Sequence, residues 1–369
     1  MKLGKAVSWL MGTLQRSLFP RLEECWKTPL TSKEQQLVTI LEMVEVEKHV
    51  PRSANTQSLG RKLREREAIA RSFVAKAVYG HPFTRTTIHA LRTTPTLRCI
   101  CGFERISQIP SEATFSRAFA EFAKGALGDR VHEAIVERSL RPELVGHISR
   151  DSTAIEGREK PARKAPKEKP APKKRGRPRR GEEREPKEEN RLVKQREQSA
   201  EEALKELPMV CDVGTKKNSK GYKETWIGYK LHADVNDCGL PVSVVLTAAS
   251  LHDSQVAIPL MKMSSARVDY LYDVMDAAYD AGAIYEVSKS LGHVPLIDPN
   301  PRRSPNPRRL DPAERRRFAE RSASERVNSN LKDNYGGKFV RVRGAAKVMC
   351  HLMFGLLALT AVQLFHLLV

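Results

Sequence analysis

Cysteine is scarce in this chain, and its few cysteines are not spaced as metal ligands. Six occur in 369 residues, and only Cys99 and Cys101 lie close together. The sequence therefore predicts no zinc site, and scattered thiols of this kind are typical of a reduced, cytosolic protein. The N-terminus has no secretory pattern, because its apolar run is short and interrupted by charge. We expect a cytoplasmic protein.

Negative charge is also in short supply. Lys and Arg number 64 against 44 Asp and Glu, which gives a formal charge of +20 and a pI near 9.8. A surplus of this size predicts a polyanionic partner. A membrane surface is the alternative to nucleic acid, but no basic amphipathic helix of the kind that binds membranes stands out. The composition therefore favours a nucleic-acid-binding protein.

Bulky apolar residues are almost missing from residues 158–198, which are rich in Lys, Arg, Glu and Pro. Such a segment cannot bury a core, so we predict that residues 158–198 are disordered. They lie in a basic low-complexity insert that we place at residues 157–206. In an AT-hook, two arginines lie along a narrow minor groove of A·T-rich DNA. The insert contains a motif that resembles one: Arg175, Gly176, Arg177 and Pro178. A plain basic linker is the alternative interpretation.

Residues 1–144 are predicted to form a separate, helical N-terminal domain. Residues 32–47 have helical periodicity with Ser32 as the expected N-cap, and residues 111–123 form a second amphipathic helix. This second helix carries three aromatic residues at helical spacing, which we expect in the core rather than stacked on bases: Phe115, Phe119 and Phe122.

Two aspartates lie at predicted strand ends in the second half of the chain. Residues 145–155 have the β-formers of a strand, with Asp151 towards its C-terminal end, and a strand at residues 268–275 runs directly into Asp276. Carboxylates at C-terminal strand ends are exposed at the rim of an open sheet. Asp280 is the alternative to Asp276, although we expect it to help cap the next helix.

The segments between and after these strands predict a mixed α/β domain. Residues 226–236 and 240–250 read as an antiparallel hairpin. A helix at residues 253–264, with Asp253 or Ser254 as its N-cap, and a strand at residues 294–298 follow. An antiparallel hairpin therefore continues into parallel strands. A place for His252 and Asp253 in a metal site is the alternative to a turn or cap.

Residues 318–332 are predicted to form one helix with a charged face. That face is made by residues three, four and seven positions apart, which return to nearly the same side of a helix: Phe318, Arg321, Glu325 and Lys332. One carboxylate then lies between two cations, as a metal ion beside phosphates would require. A solvated helix with ordinary ion pairs is the alternative.

In combination these motifs resemble the catalytic core of the DDE transposases. The resemblance is closest to bacterial insertion-sequence transposases whose glutamate helix reads Tyr-x2-Arg-x3-Glu-x6-Lys, although Phe318 stands here in place of the tyrosine. It extends from about residue 148 to the C-terminus. It implies a ribonuclease-H-like catalytic domain at residues 145–369, interrupted by the insert.

The resemblance also implies a function and a site. The expected activity is metal-dependent cleavage of DNA strands and transfer of the 3′ hydroxyl to target DNA, with Mg²⁺ as the cofactor and Mn²⁺ as an alternative. Asp151, Asp276 and Glu325 would be the catalytic metal ligands, and Arg321 and Lys332 would hold the DNA backbone. The expected partners are double-stranded DNA and a second copy of the chain in a homodimeric synaptic complex at the nucleoid. The N-terminal domain would bind the terminal repeats.

Other readings stay open beside this one. The chain could be a catalytically inactive DNA-binding protein or repressor derived from a transposase, or another ribonuclease-H-like nuclease. Residues 348–369 are long and apolar enough for a membrane span. His351, Gln363 and His366 interrupt that stretch and favour a buried core helix, so we predict no membrane partner.

Overall fold

The computed structural model describes residues 29–51, 66–141, 143–162, 190–217, 220–300 and 310–368. Within these ranges the chain forms one mixed sheet and a set of α-helices, as the α/β prediction requires. The AT-hook-like motif lies outside the described residues: Arg175, Gly176, Arg177 and Pro178.

The sheet has six strands among the described residues. In chain order they are β1 (Val145–Glu156), β2 (Asp212–Lys217), β3 (Lys223–Asn236), β4 (Pro241–Ala248), β5 (Tyr270–Met275) and β6 (Val294–Ile297). Strand β1 lies antiparallel to β3 and parallel to β5, and β6 is parallel to β5. On the far side of β3, β2 pairs with its first half and β4 with its second. The predicted hairpin with a parallel continuation is confirmed.

Helices make up the described residues before the sheet. They are α1 (Ser32–Val44), α2 (Val46–His49), α3 (Arg66–Val78), α4 (Thr84–Thr93), α5 (Pro95–Ile100), α6 (Glu112–Lys124) and α7 (Leu127–Leu140). The expected N-cap Ser32 is wrong, because Thr31 and Glu34 form a reciprocal capping box one residue earlier. The three phenylalanines of α6 are buried, as predicted.

The disorder predicted up to about residue 198 is wrong for the last part of that segment. Helices α8 (Arg191–Glu197) and α9 (Ala200–Lys205) fold onto the sheet domain. Leu192 is buried in a cluster with Ile258 and Met275, and the Gln195 amide donates to the Gln255 carbonyl at 2.9 Å. The prediction failed here because one leucine within a charged stretch is enough to anchor a short helix when a cavity on the fold receives it.

The remaining helices lie between the later strands or after them. They are α10 (Ser254–Arg267), α11 (Gly282–Ser290), α12 (Pro312–Phe318), α13 (Ser322–Asn334) and α14 (Ala345–Leu368). The single helix predicted over residues 318–332 is wrong in one respect, since a 3₁₀ turn, Ala319–Arg321, separates α12 from α13. The Arg321 carbonyl there accepts a hydrogen bond from the Ser149 hydroxyl of β1 at 2.8 Å, which ties the turn to the sheet. Glu325 and Lys332 remain on one helix.

Helix α14 joins the two halves of the molecule. It packs against α1, α3, α6 and α7 from the N-terminal half, and also against β4 and α13. By length and composition it is apolar enough to cross a membrane, but 72% of its most apolar window is buried inside the fold. This is the burial predicted for a core helix. One hydrophobic core contains residues of the N-terminal helices and of the sheet, so the core does not mark a boundary between domains. The domain division at residue 144 stays a prediction.

We predict that Gly355→Ala destabilises the protein by about 1–3 kcal/mol, the usual cost of overpacking a core. A Cβ at Gly355 would overlap the Tyr335 carbonyl oxygen and lie 3.0 Å from Leu331 Cδ1, so α14 could not keep its distance from α13. Urea unfolding followed by circular dichroism measures the change.

The matched control for this substitution is Gly282→Ala, at the start of α11. A Cβ there meets nothing within 4 Å, so alanine should be neutral or slightly stabilising. Equal unfolding midpoints for the two variants would show that α14 tolerates a wider spacing.

Candidate active site

Asp151 and Asp276 lie next to each other where two parallel strands stop pairing. In the register of β1 and β5, Arg150 is opposite Met275, the last residue of β5. Asp151 and Asp276 are the next residues on the two chains. Strand β1 continues to Glu156, so Asp151 lies in its middle and not towards its C-terminal end as predicted. Asp151 is at the rim because its neighbour β5 ends at Met275, opposite Arg150.

The face of β1 that carries Asp151 also carries the glutamate helix. Ser149 Oγ lies 2.8 Å from Ser324 Oγ of α13, and Asn328 Nδ2 of the same helix donates to Asp151 Oδ2 at 3.3 Å. Alternate residues of a strand share a face, so Ser149 and Asp151 hold α13 at two successive points. Glu325 lies between Ser324 and Asn328 in the chain and is thereby kept at this edge of the sheet.

Arg150 points to the opposite face and binds the neighbouring strands on both sides. Its guanidinium donates to Asp234 of β3 at 2.6 Å and to Asp273 of β5 at 3.3 Å, and all three side chains are buried. The Ser264 hydroxyl of α10 donates to Asp234, and the Ser288 hydroxyl of α11 donates to Asp273. This buried clamp fixes β3, β1 and β5 in register one residue away from Asp151.

The negative charges of Asp151 and Asp276 are only partly balanced by their surroundings. Burial, with a contribution from the charge of Asp276, raises the pKa of Asp151 to about 6, against the opposing effects of the Ser152 N–H and Arg321. Burial and the nearby Asp253 likewise raise the pKa of Asp276, while a hydrogen bond from the Ala278 N–H and the charge of Arg321 oppose the shift. A site of this kind favours a bound cation.

Glu325 is the predicted ligand that the structure does not bring into contact with the other two. Its carboxylate pairs with Arg321, four residues earlier, at 2.5 Å, and its side chain is 52% exposed. Arg321 thus lies close enough to influence Asp151 and Asp276 while it binds Glu325. The Arg321 guanidinium thus forms an ion pair with Glu325 and lowers the pKa of both aspartates.

Asp253 is a member of this acidic group that the sequence offered only as the alternative to a turn or cap residue. It stands at the N-cap position of α10, as predicted, but makes no side-chain capping bond. Its carboxylate instead accepts a hydrogen bond from Lys230 of β3 at 2.8 Å, and Ser152 donates to it as well. No local pattern could have found this pair, because Lys230 lies 23 residues earlier on another strand.

The remaining predicted residues lie around the same edge. Lys332 is half-buried two turns after Glu325 on α13, where Glu156 and Asp151 act on it, and Phe318 is half-buried at the end of α12. Asp280 does not cap α11, contrary to expectation. Its carboxylate accepts the Asn300 N–H at 2.9 Å and so secures the chain that follows β6.

The donor atoms at this edge are the type that a magnesium ion prefers. Carboxylate and amide oxygens are hard ligands. Asn328 Oδ1 is buried beside Asp151 and has no hydrogen-bond partner among the described residues. In the part of the chain that the structure describes, however, no three His, Cys, Asp or Glu side chains are arranged to hold a metal ion. The chemistry of the site fits a divalent cation, while Glu325 would have to leave Arg321 to join it.

Comparison with protein-family models agrees with this arrangement. Residues 147–361, more than half of the chain, match the model described as the transposase DDE domain. Residues 26–121 match a second model, the transposase domain DUF772. The chain therefore belongs to the DDE transposase family, and the sheet with its flanking helices is a ribonuclease-H-like core. No curated protein and no solved structure matches the chain.

We predict that Arg150→Met destabilises the protein by about 3–5 kcal/mol, because it leaves Asp234 and Asp273 buried without a counter-charge. Urea unfolding measures the loss. Arg196→Met is the matched control, since its ion pair with Glu286 is half exposed and such pairs contribute about 1 kcal/mol or less. Equal losses for the two variants would mean that the clamp does not hold the strands.

Proposed function

We propose that this chain is a metal-dependent transposase that cleaves DNA at the ends of an insertion sequence and joins the freed 3′ hydroxyl to target DNA. The observation that carries the proposal is that Asp151 and Asp276 directly follow the last pair of β1 and β5 at the rim of the sheet, each with a pKa raised by burial. Membership of the DDE transposase family supports the same conclusion.

Asp151, Asp276 and Glu325 are the proposed metal ligands, with Mg²⁺ as the natural ion. When bound, divalent ions in such a site activate the attacking oxygen and stabilise the leaving oxygen of a phosphodiester. The side chains have the complementary task of binding and orientation. Asn328 holds Asp151 in place through its amide, and the Ala278 N–H does the same for Asp276.

Arg321 has a proposed role as the group that exchanges partners when DNA binds. Its guanidinium pairs with Glu325 in the free protein. A DNA phosphate offers the same bidentate geometry as a carboxylate and competes for this fork. Transfer of Arg321 to the phosphate would release Glu325 towards the two aspartates, so that the acidic triad assembles only beside bound DNA. Lys332 would contact the backbone as a point charge.

The proposed partners are double-stranded DNA at both element ends and at the target, and a second copy of the chain in a synaptic complex at the nucleoid. A second candidate function is that of an inactive, transposase-derived DNA-binding protein or repressor. It is favoured by Phe318, which lacks the hydroxyl of the expected tyrosine, and by the exposure of Glu325.

We predict that Asp151→Ala, Asp276→Ala and Glu325→Ala each reduce Mg²⁺-dependent cleavage and joining to background while duplex binding persists. The substrate is a plasmid that carries the DNA flanking the coding region on both sides, so that the element ends are present. Mn²⁺ binding, followed by electron paramagnetic resonance, should weaken in the Asp151 and Asp276 variants. Glu286→Ala removes a similarly exposed carboxylate on α11 and is the control.

Two outcomes would contradict the proposal in different ways. Retained Mg²⁺-dependent joining by any variant of the triad would remove that residue from the site. Tight duplex binding by the unmodified protein with no cleavage under any divalent ion would favour the repressor.

A further inference from the structure

A second charged cavity lies away from the acidic site. It is enclosed by the end of α3, the start of α4, the chain that follows β1 and the loop between α13 and α14, and its volume is about 320 Å³. Four cationic side chains line it: Lys76, Arg85, Arg158 and Arg341. Among the described residues of its wall, Glu112 supplies the one carboxylate.

Lys76 is the most unusual of these residues. It is 9% exposed and lines this cavity as well as a smaller one behind it. No described residue accepts a hydrogen bond or forms an ion pair with its ammonium group. Burial accordingly lowers the pKa of Lys76 to about 8. An unpaired buried charge is costly to keep, and a bound anion would offset that cost.

The two outer arginines are arranged around one aromatic ring. The Arg85 guanidinium lies 4.8 Å from the centre of the Phe83 ring, and that of Arg341 lies 5.5 Å from it. Neither arginine forms an ion pair within the described part of the chain, so their N–H groups are free to bind an acceptor. Phe83 is also the N-cap of α4 and makes no side-chain capping bond, so the first N–H groups of this ten-residue helix add positive potential.

The loop that carries Arg341 is fixed to the chain that carries Arg158. Glu159 accepts a hydrogen bond from the Gly344 N–H at 3.0 Å and another from the Tyr229 hydroxyl of β3. The cavity is therefore a built feature of the fold and is held to the same sheet as the acidic site.

Further cations connect the cavity with the acidic site. Strand β1 runs from Asp151 to Glu156, about 16 Å at the usual rise of a strand, and Arg158 follows. Lys332 lies along this path, close enough to Asp151, Glu156 and Lys216 to be influenced by all three. A row of this kind suits a continuous polyanion better than a single small anion. One DNA strand advances about 3.4 Å per phosphate, so this stretch of β1, which ends two residues before Arg158, would span about five nucleotides.

We propose that this cavity binds a backbone phosphate of the DNA duplex whose scissile phosphate lies at Asp151 and Asp276. The ligand class rests on the proposed function, whereas the anion site rests on Lys76 and the three arginines. In this assignment Lys76 neutralises the phosphate from the buried side of the cavity. Arg85 and Arg341, which lie over the Phe83 ring, bind the phosphate oxygens nearest the solvent. The N-terminal half of the chain thereby sets where the DNA lies along β1.

The test is duplex binding by Lys76→Met in the full chain. Fluorescence anisotropy with a labelled duplex of mixed sequence, in EDTA, separates binding from cleavage. We expect about tenfold weaker binding and a salt dependence, log K against log salt, that is shallower by about 0.9 for the lost phosphate contact. Adding Arg341→Gln should weaken binding further. Lys289→Met, an exposed lysine on α11, is the control and should leave both quantities unchanged.

Misfolding can be distinguished from loss of binding. Methionine replaces an unpaired buried ammonium with an apolar group of similar length, so Lys76→Met should unfold at the same or a higher urea concentration than the unmodified protein. Duplex binding by Lys76→Met with unchanged affinity and salt dependence would overturn the inference.

A calorimetric titration with inorganic phosphate separates the two sources of the anion. Lys76-dependent binding of free phosphate with no effect of Lys76→Met on duplex binding would make the cavity a small-anion site and also overturn the inference. Weakened duplex binding in Lys76→Met together with no cleavage by the unmodified protein would leave this inference standing while the catalytic proposal fails.

Discussion

The candidate site depends on one buried guanidinium. Arg150 lies between Asp234 and Asp273, and this contact sets the register of three strands at the point where the parallel pairing ends. Replacement of buried ion pairs by apolar residues is often neutral or stabilising, so such a clamp is poor evidence for stability as such. Its value here is geometric. A slip of one residue would reverse the faces of a strand, and Asp151 would then leave α13 and the rim.

The second constraint is an imbalance of charge on the other face of the same strand. Asp151 and Asp276 have hydrogen bonds from Asn328 and from a backbone N–H, and among the described residues Arg321 is the cation that lowers the pKa of both. Lys230 is already engaged by Asp253. The free protein therefore keeps its acidic groups in a partly compensated state. An enzyme can tolerate the cost of such a state when the missing positive charge arrives with its ligands.

Much of this arrangement follows from the sequence, and the exceptions have identifiable causes. The pattern of residues 268–275 was enough to predict that Asp276 directly follows a strand. Helical spacing was enough to predict that Arg321 and Glu325 lie on the same side of a helix. The sequence favoured a turn or cap role for Asp253, because its partner Lys230 is brought to it only by the pairing of β3 with β4. The disorder predicted up to about residue 198 was wrong after residue 190, since the burial of Leu192 depends on a surface that only the folded sheet provides.

Helix α14 decides how the two charged sites can act together. It packs against α3, which carries Lys76, and against α13, which carries Glu325. His351 of α14 lines the basic cavity and hydrogen-bonds to the Gly336 carbonyl in the loop after α13. Close-packed protein interiors have low compressibility. The distance between the cavity and the carboxylates is therefore set by the packing of α14 and not by a flexible linker. In the proposed arrangement, a duplex with one phosphate in the cavity would meet Asp151 in one register, and the cavity would help to choose the phosphate that is cut.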